Sequence, residues 1–169
     1  STWQLSDRWS LTGGVRQSHE ENRVSTIGTG VEDSATLSKA DDDWDGTSWR
    51  FDLEFAASDD MLVYAGVSTG FKSGGFTTQR RATGEFDRFD QFDPENLLAY
   101  EAGVKSRWLD GRVAFNGAAF YYDFDDLQVR TVKFIDDRFV TEVDNAAEAE
   151  LYGIDADGAV QVSDRLTLS

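Results

Sequence analysis

The chain has no cysteine, one histidine, one proline and one methionine in 169 residues. Without cysteine there are no disulfides and no thiolate metal sites, and the redox compartment stays open. The lone histidine, His19, leaves no second imidazole for a zinc centre and argues against a Ser-His triad. Cations are scarce too: 16 Lys and Arg face 32 Asp and Glu, for a formal net charge of −16. A chain of that sign does not neutralise phosphates at scale, so no nucleic-acid partner is expected. No apolar run reaches the roughly 18 residues of a membrane-spanning helix. No secretory leader or initiator Met opens the sequence, and both ends fall inside apparent strands. The chain therefore reads as a slice of something longer.

What is present points to β-structure. Fifteen glycines, 13% aromatics and little helical periodicity place the chain in the all-β class. One repeat organises it. Four Asp-centred turns, LSDRWSL (5–11), ASDDMLVY (57–64), WLDGRVAF (108–115) and VSDRLTL (162–168), place Asp7, Asp59, Asp110 and Asp164 at intervals of 52, 51 and 54 residues. Asp, Ser and Gly suit such turns because they bond locally to backbone and tolerate unusual dihedrals. The spacing predicts strands over 9–20, 47–57, 61–71, 96–108, 112–124 and 149–162, with part-strands at 1–5 and 166–169. Long polar loops are expected over 21–46, 72–95 and 125–148. Short turns alternate with long loops, so a meander would gather all the turns at one end and all the loops at the other.

Side chains alternate across these strands. Trp49, Phe51, Leu53, Phe55 and Ala57 share one face, against Arg50, Asp52 and Glu54. Leu98, Tyr100, Ala102, Val104 and Trp108 oppose Glu101, Lys105 and Arg107, and Tyr152, Ile154, Ala156, Val160 and Val162 oppose Asp155, Asp157 and Gln161. Trp9, Leu11 and Val15 oppose Thr12 and Arg16. Strand 112–124 carries aromatics on both faces, and its sides stay unassigned. Two architectures have one apolar and one charged sheet face. A soluble sandwich buries the apolar face against a second sheet; an outer-membrane barrel turns it to lipid and lines a wet lumen with the charges. Strands of 10–13 residues favour the barrel, which needs about 9–11 tilted residues to span, over the soluble average of about 5–6. One-sided long loops agree. So do two aromatic belts: Trp3, Trp9 and Trp108 near the short turns, and Trp49, Phe71, Tyr121, Tyr122 and Tyr152 toward the loops.

The stretch DDDWDGTSWRFD (41–52) has the spacing of a twelve-residue calcium loop. A calcium sensor needs flanking helices. Upstream, GTGVEDSATLSKA lacks an apolar stripe; downstream, TSWRFDLEF alternates with period two. The acidic run 41–45 therefore reads as a solvated loop entering a strand, with incidental cation binding left open. No catalytic, cofactor-binding or metal-ligating residue is assigned. Acid pairs such as Asp123/Asp125 and Glu148/Glu150 are too common here to mark a glycosidase, so no enzyme activity and no cofactor are expected. GFKSGG (70–75) has no following helix to cradle a phosphate.

Several stretches resemble one family. VYAGVSTGFKSGGF (63–76) is similar to the strand-to-loop segment of TonB-dependent outer-membrane receptors. FDPENLLAYEAGVKSRWLDGRVAFNGAAFYYDFDDLQV (92–129) resembles the family's next segment, with Pro94-Glu95, Tyr100-Glu101, Gly103, Lys105 and the run Phe120 to Gln128 at its motif positions. LTGGVR (11–16) and DNAAEAELYGIDADGAV (144–160) resemble two further strands, the latter with Asp155 and Asp157 in place of the usual glutamates. The resemblance implies that residues 1–169 are part of a barrel of about 22 strands, about eight strands or part-strands of an antiparallel up-and-down meander. The plug domain and energy-coupling box would lie elsewhere in the full-length chain.

It implies further that the whole protein sits in the outer membrane of a Gram-negative cell. There it would take up a large scarce ligand, by default a ferric siderophore, on energy delivered by TonB with ExbB and ExbD. The apolar faces would meet outer-membrane lipid. Arg50, Glu54, Glu101, Lys105, Arg107, Asp155 and Asp157 would bond one another and the plug. Gly70, Gly74 and Gly75 would let the chain bend out of its strand, and His19 would sit at the rim. Substrate-binding residues are not assigned; Arg80, Arg81 and Phe86 are candidates in the loops. The alternatives are a secreted β-sandwich or carbohydrate-binding module, and a porin-type or autotransporter barrel without a plug.

Overall fold

The computed structural model describes residues 1–29, 35–80, 86–135, 138–145 and 148–169. Every regular element among them is a strand: β1 (Thr2–Gln4), β2 (Trp9–Thr29), β3 (Ala35–Ser58), β4 (Met61–Lys72), β5 (Gly75–Arg80), β6 (Phe86–Phe92), β7 (Glu95–Trp108), β8 (Val113–Asp125), β9 (Gln128–Ile135), β10 (Arg138–Asn145), β11 (Glu148–Ser163) and β12 (Leu166–Leu168). Eight form one open antiparallel sheet in the order β1-β2-β3-β4-β7-β8-β11-β12. The other four form two separate hairpins, β5–β6 and β9–β10. The four turns at the short end are the ones the Asp period predicts. At 109–112, Leu109, Asp110 and Gly111 adopt positive φ of 55°, 56° and 83°, a conformation that Asp and Gly tolerate at low cost.

The register makes the two faces explicit. Phe51, Val67, Tyr100, Tyr121 and Tyr152 lie opposite one another across five strands on one face. Asp52, Gly66, Glu101, Phe120 and Gly153 form the adjacent row on the other. The unassigned strand is thereby resolved. Val113, Phe115, Ala119 and Tyr121 share the apolar face, and Asn116, Ala118, Phe120 and Tyr122 the polar one. Tyr122 thus leaves the predicted lipid-side belt: its ring packs on Phe120, centroids 5.0 Å apart.

No second layer covers the apolar face among the described residues. Among the described residues Trp44 is the one buried large apolar side chain, while Tyr152 is 73% and Ile154 83% exposed. A sandwich would bury these positions, so that alternative fails on the structure. Ser106 is a polar residue within the band on the apolar face; it is buried and donates its Oγ hydrogen to the Phe115 carbonyl at 3.1 Å. A hydroxyl facing hydrocarbon needs such an internal partner. From Tyr100 to Trp108 in β7 the rise is roughly 3.3 Å per residue at a tilt of about 40°, which gives an apolar band about 20 Å tall between ring positions.

The long loops are the main departure from expectation. Segment 21–46 is not a loop for most of its length; β2 and β3 continue as a paired ladder to Thr29↔Ala35. With 24 residues, β3 runs roughly 80 Å along its axis, far more than a ~30 Å hydrocarbon core requires. Segments 72–95 and 125–148 each contain a hairpin. Backbone groups outside the bilayer still need partners, and strand pairing supplies them.

Candidate functional site

The polar face is a wall of paired side chains. Arg50 forms a two-point contact with Asp52, at 2.8 and 2.9 Å. The Tyr64 hydroxyl donates to Glu101 at 2.7 Å, and the Lys105 ammonium lies 5.5 Å from the Tyr64 ring centre. Ser10 donates to Glu54 at 3.0 Å, and Asn116 to Asp157 at 3.0 Å. The predicted charges do share one face, but apart from the Arg50–Asp52 pair their recorded partners are neutral hydroxyls and amides. A shallow concavity of about 330 Å³ lies over Tyr64, Glu101, Lys105, Phe120, Asp155 and Asp157.

Above the wall the bases of the hairpins meet. Trp44 and Phe76 rings pack 6.0 Å apart, and Phe76 meets Phe89 edge-on at 6.4 Å. Gly74 and Gly75 serve this junction through their size. Neither has positive φ; a Cβ on Gly74 would lie 2.7 Å from the Trp44 ring and 2.5 Å from the Phe92 carbonyl, and one on Gly75 2.6 Å from the Phe92 ring. The chain does leave its strand here, between Lys72 and Gly75, but what requires glycine at 74 and 75 is close packing rather than a positive φ; a Cβ on Gly70 would be less crowded, 3.3 Å from the Leu97 Cβ. Ser73 donates to Glu20 at 2.7 Å, and Gln91 to Asp42 at 2.5 Å. Gln128 and Asn145, motif positions without an assigned role in the sequence, bond the feet of the middle hairpin.

The acidic run lies within β3. Asp41, Asp43 and Asp45 occupy alternate positions facing outward, Asp42 turns inward to Gln91, and Asp52 faces the lumen. Oxygens spread along an extended strand cannot wrap one ion as a calcium loop does. His19, opposite Asp45, brings Nδ1 to 3.0 Å from the Asp45 carboxylate. His19, Asp43 and Asp45 present donor atoms within 4.8 Å of one another on this exposed surface. The hydrogen bond and charge of Asp45 raise the His19 pKa above its ordinary value. Lys133 at the outer end of β9 is likewise raised, by hydrogen bonds to Glu142 and Asp144. Of the loop candidates, Arg80 and Phe86 pair in register at one hairpin tip, and Arg81 lies outside the described residues.

The family model described as "TonB dependent receptor-like, beta-barrel" matches residues 1–169. The pesticin receptor of Yersinia pestis is 30% identical over 132 residues, which is 76% of this chain and 18% of that protein. The metal-pseudopaline receptor CntO of Pseudomonas aeruginosa is 30% identical over 119 residues, 70% of this chain and 15% of that protein. Among solved structures, the ferric yersiniabactin uptake receptor FyuA of Yersinia pestis superposes with a TM-score of 0.76 at 23% identity, over 96% of this chain and 23% of that one. The copper transporter OprC superposes at 0.74 with 16% identity, over 96% of this chain and 26% of that one. An open two-faced meander of this kind is barrel wall. The chain belongs to the TonB-dependent receptor β-barrel family and resides in the outer membrane of Gram-negative bacteria. It spans under a fifth of the length of the curated relatives it matches.

Proposed function

We propose that the whole protein is an outer-membrane receptor and active transporter that captures a metal chelate, a ferric siderophore first of all, and imports it on TonB-transmitted energy. Residues 1–169 supply wall and outer hairpins; a plug domain in the same full-length chain and the TonB-ExbB-ExbD complex supply the gate and its drive. The observation that carries this reading is the two-faced sheet continued by long outer hairpins: apolar side to lipid, ionic side to a lumen, and a built rim at the outer end. A relative described as a receptor for metal-pseudopaline, and a similar structure described as an uptake receptor for ferric yersiniabactin, support a chelated metal as cargo. The family is one of transport receptors, which supports transport as the role.

The experiment is uptake of radiolabelled iron presented on a panel of siderophores to cells expressing the full-length receptor, with and without TonB. TonB-dependent uptake of at least one ferric chelate is expected. Passive, TonB-independent entry of many small solutes would instead identify a porin-type barrel.

A further inference from the structure

We propose that Gln128 and Asn145 form a clasp that joins the β5–β6 and β9–β10 hairpins into a single outer unit, so that ordering one orders the other. The two residues are a cross-strand pair at the foot of β9–β10. Gln128 Nε2 donates to the Ser73 carbonyl at 2.8 Å and to the Asp93 carbonyl at 3.0 Å. Ser73 and Asp93 flank the β5–β6 hairpin on its two sides, so one amide holds both of its feet. Asn145 closes the same grip: its Oδ1 accepts the Asp93 backbone N–H at 2.8 Å, and its Nδ2 donates to the carbonyls of Asp93 at 2.9 Å and Asp126 at 2.7 Å. Asp126 has φ of 56° and makes the corner into β9, so the bond to its carbonyl also fixes where the third hairpin leaves the wall. Higher up, the Val143 N–H meets Thr77 Oγ1 at 3.3 Å.

The chemistry requires carboxamides. Each grip needs donors for backbone carbonyls, and Asn145 must also accept a backbone N–H. An amide does both; a carboxylate accepts only. Both residues are half-buried, so an unmet carbonyl here carries a desolvation cost. The hairpins belong to separate two-stranded sheets and share no ladder, which leaves side chains as their links. Contact of a ligand with either hairpin would then restrict both, whichever cargo the receptor takes.

The test is hydrogen–deuterium exchange on the full-length receptor in lipid nanodiscs, comparing wild type with Gln128→Glu and Asn145→Asp. These substitutions keep size and remove the donors. Exchange in β5–β6 is expected to rise several-fold in each variant, although both substitutions lie in the other hairpin, while β7 and β8 stay as protected as in wild type. Loosening confined to β9–β10, with β5–β6 unchanged, overturns the proposal. So does equal loosening of β7 and β8, which marks general destabilisation. If either variant fails to reach the membrane, Gln128→Ala is read by the same comparison. Paired spin labels at Thr78→Cys and Thr131→Cys add a distance readout. Their distance distribution should be narrow in wild type and broad without the clasp; equal widths also overturn it.

Discussion

At the residue scale, Gly103 is a tight constraint on the wall because one of its close neighbours is backbone. A Cβ there would sit 2.6 Å from the Gly117 carbonyl and 2.7 Å from the Tyr64 ring. Backbone cannot give way cheaply, and the ring is held by its hydroxyl bond to Glu101. Gly103→Ala is expected to destabilise the full-length barrel by about 1–3 kcal/mol through overpacking, measured by urea unfolding in lipid vesicles. Gly70→Ala, where the nearest atom is the Leu97 Cβ at 3.3 Å, should cost visibly less. The sequence resemblance places Gly103 at a motif position. Its reason, room for the ring of a residue 39 positions earlier, is visible only once Tyr64↔Gly103 is known as a cross-strand pair.

At the scale of elements, the extended β2–β3 hairpin carries a titratable latch. Asp45 raises the His19 pKa, so the folded hairpin prefers the imidazolium. The pair's contribution is therefore complete below the ordinary histidine value and fades as pH rises through the raised folded value. Exchange protection beyond Asp45 should fall between acidic and mildly alkaline pH in wild type, and Asp45→Asn should flatten that profile. A second element-level prediction concerns β8 and β11, where Glu150 opposes Asp123 and Glu148 opposes Asp125. Like charges directly opposite weaken a sheet. Glu148→Lys should stabilise the β8–β11 ladder by a few tenths to about 1 kcal/mol, read from the same unfolding curves at low salt.

The six spanning strands were legible because lipid on one side and water on the other impose a period of two on the sequence. The outer hairpins are unburied on either side for much of their length, so that pressure is weak, and acids depleted from ordinary strands fill β3 from Asp41 to Asp45. One signal was available all the same. Residues 128–135, QVRTVKFI, are rich in β-branched and aromatic residues, and Lys133 faces Glu142 and Asp144 across the hairpin. The rim clasp was not legible. Gln128 lies 55 residues from Ser73, and a polar residue after a strand gives no hint of which distant carbonyl it meets.

At the scale of the whole molecule, one assignment controls the others: which face meets lipid. Among the described residues the apolar face has no protein cover, aromatic rows bound it at both ends, and between those rows the ionic residues Arg50, Asp52, Glu54, Glu101, Lys105, Arg107, Asp155 and Asp157 fall on the opposite side of the same strands. Neighbouring residues in β7 make a direct comparison, since Val104 faces outward at mid-band and Lys105 faces inward. Val104→Arg in the full-length receptor is expected to cost about 2–4 kcal/mol, because it places a guanidinium in hydrocarbon. Lys105→Arg keeps its charge in water beside Tyr64 and should stay within about 0.5 kcal/mol of wild type. Reversible unfolding in vesicles measures both. If the costs were exchanged, the wall would be inside out. The Tyr64–Glu101 bond would then face lipid, the outer hairpins would continue a different surface, and the transport reading would lose its lumen.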